Sequence, residues 1–422
     1  MEEKQSLDWD TDLKEIPVKD WETRFNWVEE PCISPDGEQI ASIVNVDEMV
    51  FGVCVNGEVW EGEYEKAWNL RALPNNKFVA CICQDEEWTL AVNGKEWSNR
   101  FDFIWDLQFT EDGSHIGLAF QTDGEYGMVV DDTPWDTLYT NMNGMVLGKD
   151  GRSAAVVQVE SVAAADVAAF KKGIFSVALN GKAFGQTFLN AWDISLDEGS
   201  QNLAWSSRLT REAYTIVLNG RPWENSFQSV WKPEFADQGN SIVAPVRQGG
   251  KWKLFKDDQP FWKTGFEQLW RVNVSGANNR IAAIVAPTFG KWTVAQDDCV
   301  WPISIDAMIR DIYYSQDGSC LVAVLKNKGA WTLAVNGKLW DLSGDKIFTP
   351  CISRDGSVVA VVMERCGSFF LAVNNQEITG PHGFMAAPVI SPDAQKILVK
   401  GIENGIYKRR VISLGSCLGD IG

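Results

Sequence analysis

The 422-residue sequence contains only two histidines, His115 and His382, and they lie far apart in the chain. Histidine is the commonest protein ligand for transition metals and the commonest general base near neutral pH. The nine cysteines are scattered and include no C-x-x-C pair, which fits a reducing compartment rather than a disulfide framework. The sequence therefore predicts no metal site and no cofactor.

Long apolar runs are also missing, since no stretch approaches the ~20 residues that a membrane-spanning helix needs. The N-terminus, MEEKQSLDWDTDLKE, is acidic and lacks the hydrophobic segment of a secretory signal. Lys and Arg number 38 against 57 Asp and Glu, a formal net charge of −19, which repels nucleic acids and anionic lipids. We predict a soluble, cytoplasmic protein that binds no nucleic acid, does not insert into a membrane, and associates with one only through partners.

What the sequence does contain is a repeat of roughly 40 residues. Each copy has a first turn, most often Asp-Gly, between two apolar segments, and about 19 residues later a second turn between two more. Asn-Gly is a strong hairpin signal, because both residues accept the positive φ angles that tight turns require. Each repeat is therefore predicted to be a sheet of four short strands. The second turns lie at Asn56-Gly57, Asn93-Gly94, Asp131-Asp132, Asn180-Gly181, Asn219-Gly220, Asp257-Asp258, Asp297-Asp298, Asn336-Gly337 and Asn374-Asn375.

The tryptophans follow the same period, with 18 of the 20 at equivalent places in the repeat. One set precedes the first turn, a second opens the third strand, and a third lies on the strand that leaves the second turn. A residue that recurs once per unit usually packs between neighbouring sheets. We therefore interpret the tryptophans as packing elements rather than as an electron-hopping chain.

The tenth repeat ends after its third strand, and the missing piece lies at the other end of the chain. KDWETRF, residues 19–25, matches KEWSNRF, residues 95–101, so the segment 19–27 is predicted to supply the fourth strand of the last blade. The predicted fold class is all-β: a single closed β-propeller of about ten four-stranded blades. Two smaller propellers are the alternative, because four to eight blades are usual.

The predicted domains are an acidic N-terminal tail over 1–18, the propeller over 19–414 and a C-terminal tail over 415–422. The fourth repeat carries an alanine-rich insertion, ESVAAADVAAFKKG, whose start and stop signals predict a helix within 159–172. Ala163, Val167 and Phe170 share one apolar stripe of this helix, and we predict that they contact a partner protein. A helix that lies on its own blade is the alternative.

The S-P-D-G segment at residues 34–37, with a partial copy at 391–393, resembles the WD40-like repeats of TolB-type propellers. The W-x3-F motif, and AVNGK-x-W at 91–97 and 334–340, together with the acidic, tryptophan-rich composition, resemble the tryptophan-rich subunit of the Tmc transmembrane redox complex of sulfate-reducing bacteria. That resemblance implies a cofactor-free cytoplasmic-side subunit beside a membrane cytochrome b and an iron–sulfur subunit. No functional residue carries over from it.

Two classes of function follow. The first is a non-catalytic scaffold or docking protein of a membrane-bound electron-transfer complex, which would be no enzyme and would have no catalytic, cofactor-binding or metal-binding residues. The alternative is a glycan- or lactone-hydrolysing propeller enzyme with its site at the central channel. The strands that enter the first turns carry few acids, with Glu234 the main exception. Three or more acids lining one channel would favour the enzyme.

Overall fold

The computed structural model describes residues 7–161, 167–199 and 201–417. Its strands form ten separate antiparallel sheets, each with its strands paired in succession, and in four sheets the first strand is split in two. The chain is a β-propeller of ten four-stranded blades, which confirms the predicted all-β fold class. We number the blades 1 to 10 in chain order.

The chain divides into two compact units. Unit 1 comprises Met1–Phe103, Ala330–Leu333 and Trp340–Gly422, and unit 2 comprises Ile104–Gly329 and Ala334–Leu339. Blades 1, 2, 9 and 10 belong to unit 1. Blades 3 to 8 belong to unit 2, except for a few residues of blades 3 and 8.

Unit 1 contains these elements. Blade 1 has β2 Trp27–Val28, β3 Cys32–Ile33, β4 Ile40–Asp47, β5 Val50–Val55 and β6 Glu58–Val59, and blade 2 has β7 Lys66–Ala72, β8 Phe78–Gln84, β9 Glu87–Val92 and β10 Lys95–Glu96. Blade 9 has β36 Lys346–Ile347, β37 Cys351–Ile352, β38 Val359–Arg365, β39 Ser368–Val373 and β40 Gln376–His382. Blade 10 has β41 Phe384–Met385, β42 Val389–Ile390, β43 Lys396–Glu403, β44 Ile406–Ser413 and β1 Leu13–Pro17, and two short helices are α1 Trp21–Arg24 and α3 Leu414–Cys417.

Unit 2 contains the remaining blades. Blade 3 has β11 Phe103–Phe109, β12 Ile116–Thr122, β13 Glu125–Val130 and β14 Thr133–Pro134, and blade 4 has β15 Met142–Leu147, β16 Ser153–Gln158, α2 Val167–Phe170, β17 Phe175–Leu179 and β18 Lys182–Ala183. Blade 5 has β19 Asn190–Leu196, β20 Leu203–Arg208, β21 Tyr214–Leu218 and β22 Arg221–Pro222, and blade 6 has β23 Ser229–Val230, β24 Glu234–Ala236, a 3-10 turn Asp237–Gly239, β25 Ser241–Gln248, β26 Lys251–Lys256 and β27 Gln259–Pro260. Blade 7 has β28 Gln268–Val274, β29 Ile281–Thr288, β30 Lys291–Gln296 and β31 Cys299–Val300, and blade 8 has β32 Met308–Tyr314, β33 Leu321–Asn327, β34 Ala330–Val335 and β35 Lys338–Leu339.

The first residue of the second turn has a role beyond its positive φ angle. In blade 8, Asn336 (φ 47°) donates its backbone N–H to the carbonyl oxygen of Leu321, and its side-chain Oδ1 accepts the Leu321 N–H at 2.9 Å. We call this reciprocal pair the turn clasp. It joins the second turn to the start of the second strand and recurs in blades 1 to 9, at Asn56, Asn93, Asp131, Asn180, Asn219, Asp257, Asp297, Asn336 and Asn374.

Where the second residue of this turn is Asp rather than Gly, it ties neighbouring blades together. The Oδ2 atom of Asp258 in blade 6 accepts the backbone N–H groups of Glu224 and Asn225 in blade 5, at 2.9 and 3.1 Å. Asp298 in blade 7 likewise accepts from Lys263 and Thr264 in blade 6, at 2.9 and 3.3 Å. Hydrogen bonds to a carboxylate are stronger than neutral ones. Blades 5, 6 and 7 are therefore held to one another by hydrogen bonds to the aspartate side chains of these turns.

The hydrophobic core lies between successive sheets rather than within any one of them. Between blades 6 and 7, for example, Leu254 and Phe266 of blade 6 pack with Ala283 and Val285 of blade 7, and all four are fully buried. A single four-stranded sheet buries neither face by itself, so blades 6 and 7 depend on each other for this core. Several of the recurrent tryptophans belong to these cores, namely Trp135, Trp252, Trp262 and Trp301, whereas Trp27, Trp231 and Trp270 are exposed.

The N-terminus completes the last blade, but through a different segment from the one predicted. The fourth strand of blade 10 is β1, whose five residues pair antiparallel with β44, from Leu13 opposite Arg410 to Pro17 opposite Ile406. The segment 19–27 is not that strand: it forms α1 and then enters β2 of blade 1.

The aromatic match that suggested the segment 19–27 has a packing basis. Trp21 and Phe25 are buried in one cluster with Ile40 of blade 1 and Tyr407 of blade 10, so they pack as their counterparts on outgoing strands do. The strand that does pair, β1, lies within the predicted N-terminal tail. It was not predicted as a strand because its sequence, LKEIP, is charged and ends in a proline.

Candidate functional site

A cavity of about 580 Å³ opens on the first strands of blades 5 to 8, entirely within unit 2. In β-propellers the first strands are those nearest the central channel, where ligand sites are common. We call this cavity the first-strand pocket. Its lining includes Asp193, Trp231, Lys232, Glu234, Trp270, Arg271, Asp311 and Tyr313.

Two tryptophans of the repeat present exposed surface in this pocket. Trp231 and Trp270 occupy equivalent places in blades 6 and 7 and are 42% and 38% exposed. Trp231 stacks on Trp252 of its own blade, with ring centroids 5.5 Å apart and planes 11° apart. Trp270 meets Trp292 of its blade edge-on, at 6.4 Å. Each exposed indole is thus held in place by a second ring, which makes a fixed apolar surface for a ligand.

Three carboxyl groups from three different blades line the same pocket: Asp193 of blade 5, Glu234 of blade 6 and Asp311 of blade 8. The sequence identified only Glu234. Asp193 was missed because it lies in a bulge of β19, between Trp192 and Ser195, where it adopts a φ of 54°. Bulges re-aim side chains in ways that strand alternation does not predict.

Glu234 differs from its counterparts in three other blades of unit 2, blades 3, 5 and 7, which donate a hydrogen bond to the next blade. At the equivalent position Ser195 donates to the Pro233 carbonyl at 2.6 Å, Gln108 to Met145 at 3.0 Å and Asn273 to Ile312 at 3.4 Å. Each bond joins a first strand to the first strand of the next blade. In blade 6 the polar contact of Glu234 is instead with Lys232 of its own blade, whose Nζ lies 3.1 Å from Oε1.

The surroundings of Glu234 favour its protonated form. Burial is the main cause that raises the pKa of Glu234; Lys232, whose Nζ lies 3.1 Å from Oε1, opposes the shift, and the charge of Asp193 adds to it. Burial likewise raises the pKa of Asp193, and Lys232 again opposes it. Two carboxyl groups near one cation, each with a raised pKa, are the kind of pair that exchanges protons with a substrate.

The pKa of Asp311, in contrast, is lowered. Burial alone would raise its pKa, but two hydrogen bonds from Arg271, Nε to Oδ1 and NH2 to Oδ2 at 2.8 Å each, outweigh burial and hold the pKa below its usual value. Arg271 adopts a φ of 54° in the bulge position where blades 2 to 5 have Asn69, Asp106, Gly144 and Asp193. An arginine in that conformation costs roughly 1–2 kcal/mol, which marks a position kept for its side chain.

The predicted partner contact lies outside this pocket. Val167 and Phe170 are on the described helix α2 and are 59% and 44% exposed, whereas Ala163 lies outside the described residues. Exposure is compatible with a docking role and does not test it. That contact stays a prediction.

Cys81 is fully buried and burial raises its pKa to about 12, so it is a packing thiol. In the described ranges no cluster of three or more His, Cys, Asp or Glu is arranged to hold a metal ion. None of the helices in the described part of the chain has the length and apolar character needed to cross a membrane.

No family model and no curated protein matches the chain. Solved structures with a similar fold include a eukaryotic initiation factor (12% identity, 84% of this chain and 88% of that chain covered, TM-score 0.45) and the Dos1 propeller (10%, 73% and 90%, 0.38). A structure from work on two prolyl endopeptidases also matches, at 12% identity over 83% of this chain and 57% of that chain, with a TM-score of 0.39. Likeness at this level concerns the fold alone.

These comparisons bear on two predictions. The propeller resemblance is supported at the level of fold, and no match supports the narrower resemblance to the Tmc subunit. The prediction that the protein is not an enzyme is corrected, because peptidases are among its structural neighbours. The neighbours assign no activity to any residue of this chain.

Proposed function

We propose that the protein is a hydrolase that cleaves a glycosidic bond in the first-strand pocket. One observation carries the proposal: three carboxyl groups from separate blades line a single cavity beside two exposed indole rings. Aromatic rings pack against the C–H faces of sugars, and paired carboxyl groups are the usual catalysts of glycoside hydrolysis. The two indole rings favour a glycan over a lactone as substrate.

The roles follow from the electrostatics. Glu234, with its raised pKa, is protonated in a larger fraction of molecules than an ordinary glutamate and donates a proton to the leaving glycosidic oxygen. Asp193 provides the second carboxyl group, which acts as base or nucleophile in its ionised form, and the charge of Lys232 favours that form. Arg271, held by its pair of hydrogen bonds to Asp311, lines the same pocket and offers N–H groups to sugar hydroxyls.

The test combines a panel of glycosides, polysaccharides and lactones with variants of the full-length protein. E234Q should lower kcat by at least about 100-fold, since it removes the acidic proton but keeps the shape of the side chain. The wild-type rate should fall as pH rises through the pKa of Glu234, above the usual 4.5, because the acid must be protonated. E234Q that turns over a substrate at the wild-type rate would refute the assignment.

Binding is measured separately, with the E234Q protein, by quenching of tryptophan fluorescence. W231A and W270A should each weaken glycan binding, whereas W105A, at the equivalent place in blade 3 outside the pocket, should not. If no glycan in the panel binds at millimolar concentration, the substrate class is wrong. If only lactones are hydrolysed, the pocket is a lactone-hydrolysing site and the glycan assignment is wrong.

The scaffold role in an electron-transfer complex, with a membrane cytochrome b and an iron–sulfur subunit as partners, stays a prediction from resemblance. Docking through Val167 and Phe170 is compatible with an enzyme whose active site lies elsewhere in unit 2. Co-purification of the native protein with membrane subunits is the measurement that bears on it.

A further inference from the structure

A second group of reactive side chains lies at the end of β40 in blade 9, in unit 1. Thr379 Oγ1 is 3.2 Å from His382 Nε2, and His382 Nδ1 is 2.8 Å from Glu403 Oε1. One ring nitrogen thus faces a hydroxyl group and the other faces a carboxylate. This is the order of groups in the catalytic triads of acyl-transfer enzymes, which are recognised by geometry and not by position in the sequence. The spacing of residues around His382 in the sequence does not predict this arrangement.

An irregular strand brings the hydroxyl and the imidazole together. Residues three apart in a regular strand point to opposite faces. Between Thr379 and His382, however, the pairing of β39 with β40 changes register, from Leu371 opposite Thr379 to Phe369 opposite His382. Gly380 makes the bend with a φ of 152°, and a Cβ there would lie 2.7 Å from the Cβ of Phe370. The bulge therefore depends on glycine and re-aims the two side chains toward each other.

Glu403, at the end of β43, is oriented by two cations. Its Oε2 atom is 2.9 Å from Lys408 Nζ and 3.2 Å from Arg410 NH2, which leaves Oε1 for the imidazole. The Nδ1 contact is short but not aligned as a hydrogen bond. Catalytic hydrogen bonds are often poorly aligned before substrate binds.

The imidazole is held in the form that a general base requires. His382 is 7% exposed, and burial lowers its pKa below the usual 6.5; the charge of Glu403 opposes this shift, while those of Arg410 and Lys408 reinforce it. At neutral pH the ring is therefore mainly uncharged and can accept a proton. Thr379 is half-buried and the adjacent Gly380 is exposed, so this end of β40 lies at the protein surface.

We propose that Thr379, His382 and Glu403 form a second catalytic site, which hydrolyses small acyl esters through an acyl-threonine. Thr379 Oγ1 attacks the ester carbonyl carbon while its proton passes to His382 Nε2. The C–O bond to the alcohol breaks, and the alcohol leaves with that proton. Water then attacks the acyl-threonine, with His382 as base, and releases the carboxylic acid and free Thr379. Glu403 is a positioning residue that stabilises the imidazolium in both steps. The proposal does not depend on the glycan site.

The experiment follows the hydrolysis of 4-nitrophenyl acetate by the full-length protein and locates the acetyl group by mass spectrometry after acid quenching. The near-isosteric T379V should lose at least about tenfold in rate and all acetylation at residue 379, whereas T379S, which keeps the hydroxyl, should retain both. The wild-type rate should rise with pH through the pKa of His382 and then level off, and E403Q should change that profile.

His115 provides the matched control, because its Nδ1 lies 2.6 Å from Asp131 Oδ2 in another histidine–carboxylate pair. H115Q should hydrolyse the ester as the wild type does. A folded T379V with a rate within about twofold of wild type, acetylation at another residue that accounts for the turnover, or a wild type with neither turnover nor acetyl-Thr379 would each overturn the proposal. Melting temperatures show whether each variant is folded.

Discussion

The turn clasp makes a quantitative prediction about Asn336 that separates its two contributions. Its positive φ of 47° disfavours most side chains, and its Oδ1 satisfies the N–H of Leu321, a fully buried residue. Replacement by Asp keeps both features, because aspartate accepts the same hydrogen bond and tolerates the same backbone conformation, as Asp131, Asp257 and Asp297 do in their own blades.

The expected changes in unfolding free energy follow from these two features. N336D should change stability by less than about 0.5 kcal/mol. N336G relieves the backbone but leaves the Leu321 N–H without its acceptor, which costs about 1–3 kcal/mol. N336A loses the acceptor and also places a Cβ in the left-handed region, which should make it about 1 kcal/mol less stable than N336G.

Urea unfolding followed by tryptophan fluorescence measures this series, since Trp331 and Trp340 flank the turn. Midpoints should shift while the slopes stay equal, because the folded surface is unchanged. The reasoning is refuted if N336D is as destabilised as N336A, because then the acceptor oxygen would not be the feature that matters. It is refuted equally if N336G matches the wild type.

Three further predictions concern other parts of the chain. Deleting residues 1–18 removes β1 and two backbone carbonyls that the buried Arg409 contacts, so the melting temperature should fall by more than about 5 °C, whereas deleting 1–6 should leave it unchanged. Lys400 is buried, and burial lowers its pKa from 10.5 to about 8. The unfolding free energy of the wild type relative to K400M should therefore rise by about 3 kcal/mol between pH 8 and pH 10.5. A difference between the two proteins that does not change with pH contradicts this. Replacing 159–172 by a two-residue turn should abolish partner co-purification without lowering the melting temperature; retained association in a folded variant would eliminate this docking site.

The sign of the Lys400 effect follows from proton counting. Between pH 8 and 10.5 the unfolded chain keeps the proton on Lys400 more readily than the folded chain does, so raising the pH favours folding. Buried cysteines such as Cys81, whose pKa is raised to about 12, act in the opposite direction above pH 9. Comparison with K400M removes the contribution of Cys81, because both proteins contain it.

The blade architecture was predictable from the sequence because its signals are local. A turn residue that accepts positive φ, and an alternation of apolar residues on each side, lie within ten residues of each other, as in the segment 331–340. The closing strand was placed wrongly for the same reason. The aromatic match at 19–25 is a strong local signal, whereas LKEIP becomes a strand only through its pairing with β44, about 400 residues away in sequence.

The first-strand pocket was only partly predictable. Glu234 stands out in the sequence because the strands that enter the first turns carry few acids. Asp193 and Arg271 do not stand out, since each sits in a bulge that shifts the strand register and thereby turns its side chain. The pairing of Arg271 with Asp311 joins residues 40 apart on neighbouring blades, which no local pattern indicates. The Thr379–His382 contact depends on a bulge in the same way.

Departures from a repeat are therefore the most informative positions in a chain of this kind. Selection for folding favours the same residue at equivalent places in all blades, because each place meets the same packing and hydrogen-bonding demands. A residue that departs from its counterparts costs stability: burial disfavours the charged form of Glu234, and Arg271 takes a backbone angle that suits Asn, Asp or Gly. That both departures line one cavity is hard to explain by packing, since neither improves it. Their shared location is what a ligand site requires.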